Sequence, residues 1–114
     1  MPKRAPRNPR DLLTPAALHI LLSLAQEELH GYGVKAAVEE RTGGALSLGP
    51  GTLYEAIHRM DEDGWIQEVD VEGRRRVYRI TPEGRRVLDD ELRRLGEIVD
   101  FARGARLLEA DGRG

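Results

Sequence analysis

Leu48–Ile80 reads LGPGTLYEAIHRMDEDGWIQEVDVEGRRRVYRI, and the order of features inside it decides the fold. Gly49-Pro50-Gly51-Thr52 opens a helix, because proline at a first helical position has its φ preset and no N–H to lose. Leu53, Ile57 and Met60 then recur at helical spacing on one apolar face. Gly64 stops the helix by taking left-handed backbone. Two β-rich runs follow, Trp65–Val71 and Arg76–Ile80, joined by a Glu72-Gly73-Arg74 turn. In the first run Trp65, Gln67, Val69 and Val71 are expected on one face, with Ile66, Glu68 and Asp70 on the other. The stretch is thus a helix followed by an arginine-tipped hairpin.

Upstream, Thr14-Pro15 is a cap followed by a helix-opening proline. The helix it starts should run to about Glu28, burying Leu18, Leu21, Leu22 and Ala25. His30-Gly31-Tyr32-Gly33 breaks it. A second helix, about Gly33 to Arg41, buries Val34, Ala37 and Val38, with Gly43 as its left-handed cap. The third spans about Pro50 to Asp63. Downstream, Thr81-Pro82 repeats the opening pair and begins a long helix over about residues 82–110. Its apolar positions Leu88, Leu92, Leu95, Val99 and Ala102 alternate by four and three, a heptad seam. Ile98, Phe101, Ala105 and Leu108 widen that seam. Three short helices and a hairpin cannot cover both stripes, so a second copy of the chain is the expected partner.

The expected fold is mainly α with a β-hairpin wing: a winged helix-turn-helix over residues 12–81, then a C-terminal dimerisation helix over 82–110. Residues 1–11, with three prolines and four basic side chains, read as a flexible basic arm, and 111–114 as a disordered tail.

Composition removes several function classes. With no cysteine there is no disulfide, thiolate metal site or cysteine nucleophile. His19, His30 and His58 lack metal-ligand spacing, and Ser23 and Ser47 lack an elbow motif. The Gly49–Thr52 run lacks the Gly-Lys-Ser/Thr ending of a nucleotide loop, so it reads as a helix start whose N–H groups can face an anion. No enzyme activity, cofactor or metal is expected. The apolar run Ala16–Ala25 is too short to span a bilayer, so the chain reads as cytoplasmic and, if it binds DNA, nucleoid-associated.

The formal net charge is −2, against expectation for a nucleic-acid binder. Binding, however, depends on local patches. Lys3, Arg4, Arg7 and Arg10 form one, and Arg74, Arg75, Arg76 and Arg79 another. Arginines on a turn can lie on phosphates or enter a narrow minor groove. With Leu53, Ile57 and Met60 turned to the core, Thr52, Glu55, Ala56 and Arg59 face outward, with Tyr54 and His58 beside them.

Several of these segments together resemble the PadR-type transcriptional regulators. The matching residues are Ile20-Leu21, His30-Gly31-Tyr32-Gly33, Leu48-Gly49-Pro50-Gly51-Thr52-Leu53-Tyr54, Arg59–Ile66 and Arg76–Arg85, which together cover residues 18–88. The resemblance implies a winged-helix repressor of the short type, with one C-terminal dimerisation helix. It implies double-stranded DNA as partner and contacts from Tyr32, Thr52, Tyr54 and the wing arginines Arg74, Arg75 and Arg76; the outward face of the third helix adds His58 and Arg59 as expected DNA-binding residues. Dimerisation would use Leu88, Leu92, Leu95, Ile98, Val99, Phe101 and Ala102, and the operator would be an inverted repeat. The chain departs from the family in two places. Glu55 follows the Leu-Tyr pair where many members have proline. The sole tryptophan, Trp65, lies beside the wing rather than in the dimerisation helix, where some short members stack flat ligands. Two alternatives stand beside this expectation: a regulator whose small-molecule effector binds at the dimer interface, and a winged-helix protein-interaction module without DNA binding.

Overall fold

The computed structural model describes residues 13–72 and 75–108. The basic arm, Arg74 of the wing and the 111–114 tail lie outside the described residues. Elements run α1 (Pro15–Gln26), β1 (Leu29–His30), α2 (Gly31–Arg41), α3 (Pro50–Glu62), β2 (Ile66–Glu72), β3 (Arg75–Ile80) and α4 (Pro82–Gly104). The three strands form one antiparallel sheet in the order β1-β3-β2. This is a winged helix, mainly helical, with a long C-terminal helix.

Local chemistry sets most boundaries. Thr14 caps α1 by accepting the Ala17 N–H at 3.0 Å, and Thr81 caps α4 by accepting the Gly84 N–H at 3.0 Å. Each such cap contributes about 1 kcal/mol. Gly43 and Gly64 take positive φ, 62° and 83°, just past α2 and α3. The amide two residues beyond each cap residue then closes on the last turn, Gly44 N–H to Glu39 O at 2.8 Å and Trp65 N–H to Met60 O at 2.9 Å. These are Schellman endings.

Three helix boundaries and one strand register differ from expectation. α1 ends at Gln26 rather than near Glu28, because Leu29–His30 is drawn into the sheet, with Leu29 opposite Tyr78 and His30 opposite Val77. α2 begins at Gly31, two residues early, because His30 Nδ1 accepts the Gly33 N–H at 3.1 Å and so caps it. α4 ends at Gly104, short of residue 110. There Arg106, with φ 63°, supplies a left-handed ending without glycine, and Leu107 N–H reaches Ala102 O at 2.8 Å. In β2 the register shifts between Glu68 and Asp70, so the simple alternation expected from Trp65 to Val71 does not run through the strand.

The core gathers Ile20, Leu21, Leu24, Val34, Val38, Leu48, Leu53, Ile57, Met60, Ile66, Tyr78, Val87 and Leu88. The α1 face is rotated from the expected one: Ile20, Leu21, Ser23 and Leu24 are buried, while Leu18, Leu22 and Ala25 pack at its margin. Ala56, expected outside, is also partly buried against the core.

Leu88 corrects the expected seam. It is 2% exposed within its own chain, so it belongs to this core and is not free to pair with a second copy. The start of α4 is therefore part of the winged-helix core, not a unit beginning at residue 82. Gly84 permits this docking, since a Cβ there would lie 2.0 Å from the Trp65 carbonyl oxygen. The same corner is tied by Thr81, whose N–H donates to Trp65 O at 2.9 Å and whose hydroxyl donates to Gly64 O at 2.6 Å. Trp65 itself packs against the core. Beyond Glu91, which is buried and ion-paired to Arg94 at 2.7 Å, α4 leaves the core. Leu92, Ile98, Val99 and Phe101 are then exposed, with Leu95 and Ala102 half-buried.

Candidate nucleic-acid interface

α3 turns its apolar face inward through Leu53, Ile57 and Met60, each at most 3% exposed. Thr52, Glu55, His58 and Arg59 are exposed on its other side. Its N-terminus carries no acidic residue in the first turn, and Gly49 caps it without a side-chain hydrogen bond. An anion would meet no local repulsion there. His58 Nε2 lies 3.3 Å from Glu62 Oε2, one helical turn on.

Two other elements converge on α3. The start of α2 brings Tyr32, which is 72% exposed. Beside it, a Cβ on Gly31 would stand 2.4 Å from the Tyr54 hydroxyl, so the bare glycine is what lets the Tyr54 ring lie across the start of α2. Tyr54 stays half-exposed there. Gly31→Ala should displace the flexible Tyr54 side chain rather than the backbone. The expected cost is about 1 kcal/mol in a denaturant melt, with greater Tyr54 mobility in side-chain NMR. An unmoved Tyr54 would contradict the close fit.

The wing arrives from β2 and β3. Arg76 is exposed, and its Nε lies 3.8 Å from Glu68 Oε2. Tyr78 is buried at the foot of the wing. Burial pushes its hydroxyl above the ordinary tyrosine range, and the Glu68 carboxylate pushes the same way, while Arg76 opposes both by its charge and a hydrogen bond. Arg75 lies on β3 opposite Glu72. Arg79, further along β3, pairs with Glu28 at 3.6 Å.

The turn between α2 and α3 is held from α2. Glu39 Oε2 accepts from Lys35 Nζ and from Ser47 Oγ, each at 2.6 Å. Those hydrogen bonds, Lys35 first, hold the Glu39 carboxyl below its usual range. The Thr42 hydroxyl accepts the Leu46 N–H at 3.1 Å. At the far end of α2, Arg41 clasps α1 through Ser23 Oγ at 2.7 Å and His19 Nδ1 at 3.2 Å. Burial first, then the Arg41 charge, lowers the His19 pKa.

Tyr32, Thr52, Tyr54, His58, Arg59 and Arg76 thus all sit on exposed parts of α2, α3 and β3. Glu68, Gly31 and the Lys35–Glu39–Ser47 clip were not foreseen. Of these, only Gly31 carried a sequence signal, its place in the His-Gly-Tyr-Gly run.

The family model described as "Transcriptional regulator PadR-like family" matches residues 20–90. The chain belongs to the PadR-like family. It is a transcriptional regulator, not an enzyme. A Mycobacterium tuberculosis (strain ATCC 25618 / H37Rv) protein named "Transcriptional regulator Rv3488" is 40% identical over 85 residues, covering 72% of this chain and 77% of that protein. An uncharacterised 37.1 kDa protein in transposon TN4556 of Streptomyces fradiae is 35% identical over 83 residues. The match covers 73% of this chain but only 24% of the Streptomyces protein's length.

Among solved structures, a transcriptional regulator from Clostridium thermocellum superposes with TM-score 0.68 at 26% identity, covering 77% of this chain and 89% of that one. Bacillus subtilis PadR in complex with operator DNA superposes with TM-score 0.60 at 25% identity, covering 67% of this chain and 45% of that one. Among the described residues of this PadR-like regulator, no helix is long and apolar enough to cross a membrane.

Proposed function

We propose that this PadR-like regulator binds duplex DNA as a homodimer and represses transcription from an inverted-repeat operator, as a cytoplasmic, nucleoid-associated protein. The carrying observation is that Tyr32, Tyr54, Arg59 and Arg76 are all exposed on α2, α3 and β3, with the Tyr54 ring lying over Gly31 at the start of α2. Superposition on a relative solved with operator DNA supports it. In this reading α3 enters the major groove, with Thr52, Tyr54 and Arg59 near base edges or phosphates. A backbone phosphate faces the α3 N-terminus, and the wing arginines grip the flanking strand. The exposed end of α4 pairs with its copy and sets two half-sites about 10 bp apart, centre to centre.

Selection of bound fragments from genomic DNA with the purified protein tests this directly. The expected product is an inverted repeat with a symmetric footprint. Recovery of no sequence preference would overturn the operator assignment. Within the selected site, Arg59→Ala should weaken binding about fivefold per protomer and flatten the log-affinity against log-salt slope by about 1.8, as loss of one phosphate contact from each protomer requires. A changed base preference with an unchanged slope would instead place Arg59 on a base edge.

A further inference from the structure

β2 and β3 set Glu68 directly across from Tyr78. From that position the Glu68 carboxylate reaches Arg76, with Oε2 3.8 Å from Nε. Arg76 and Tyr54 of α3 both act electrostatically on the Tyr78 hydroxyl, in opposite directions. Arg76 thus lies beside a carboxylate on the wing. A carboxylate offers guanidinium the same paired-oxygen fork that a phosphate does. The Arg76 and Glu68 side chains are 68% and 36% exposed, so the pair is solvent-screened and readily opened.

We propose that Glu68 is an internal competitor for backbone phosphate at Arg76. In the free protein Arg76 rests on Glu68, and on docking it transfers to a phosphate of the duplex. This rests on the duplex-binding function proposed above and adds a residue that sets its strength. Every duplex must displace Glu68, whatever its sequence. Affinity is thus lowered by a sequence-independent factor, and retention on random DNA falls with it. The chain's net charge of −2 fits a regulator whose basic wing is partly neutralised from within.

Glu68→Gln tests the proposal, since it keeps the side chain's size and removes its charge. Binding to a fluorescently labelled random-sequence duplex would be followed by anisotropy across a salt series. Glu68→Gln should tighten binding roughly three- to fivefold, most at low salt, because the number of phosphate contacts is unchanged and the Glu68–Arg76 attraction it removes is itself screened by salt. In an Arg76→Ala background the tightening should vanish. Unchanged or weaker binding by Glu68→Gln would show that Glu68 merely props Arg76, and would overturn the proposal. Tightening that persists without Arg76 would assign the effect to general charge repulsion and overturn it equally. A wild-type protein that binds no duplex at any salt would instead remove the duplex-binding function itself.

Discussion

Replacing Arg74, Arg75 and Arg76 together with Ala should weaken duplex binding by roughly 10²-fold near physiological salt. The argument is counterion release. Each arginine on a phosphate frees condensed cations, so three lost contacts per protomer, six per homodimer, flatten the log-log salt slope by about 5.4. The loss should fall on operator and random DNA alike, because phosphate contacts position the protein without reading sequence. Arg79→Ala is the contrast. Its guanidinium is engaged with Glu28 along β3 and lies farther from the wing tip, so its removal should change binding little. An unchanged slope in the triple variant, measured by mobility shift or anisotropy, would take the wing off the DNA.

The parts of this fold legible in the sequence are those set by short-range chemistry. Thr14-Pro15 and Thr81-Pro82 announce helix starts because the cap hydroxyl needs only the amide three residues on. Gly43 and Gly64 announce helix ends because glycine takes positive φ at little cost. Arg106 does the same without glycine, so the end of α4 left no mark. Strand β1 was invisible for a different reason. Two residues carry no period, and only β3, far along the chain, makes Leu29–His30 a strand.

The same limit governed the site. The exposure of Tyr32, Thr52 and Arg59 follows once Leu53, Ile57 and Met60 are placed inside. The Glu68–Arg76 pair does not follow, because the β-bulge after Glu68 decides which residues of the two strands face each other. Gly84 illustrates the converse. Its spacing from Thr81 marked the resemblance, but only the packing explains it, since the Trp65 carbonyl occupies the room a side chain would need.

The heptad of α4 separates two roles that periodicity alone merges. Leu88 and Leu92 occupy the same stripe, yet Leu88 is 2% exposed and Leu92 40%. The stripe therefore changes partner near Glu91, from its own core to a surface that a second copy would cover. Leu92→Ala with Leu95→Ala should then weaken self-association by roughly 10⁵-fold or more, since a symmetric pair loses four side chains at about 2 kcal/mol each even at the low end. The variant should sediment as a monomer. Its operator affinity should fall by about 10²–10⁴, because the second half-site no longer binds intramolecularly. Leu88→Ala should behave differently, destabilising the folded chain by about 2–5 kcal/mol at any concentration. Chemical denaturation at two protein concentrations distinguishes the two, since only a protein that still dimerises has a concentration-dependent midpoint: Leu88→Ala keeps that dependence and the double variant loses it. A wild-type protein that sediments as a monomer at micromolar concentration would overturn the assignment of this face to a second copy.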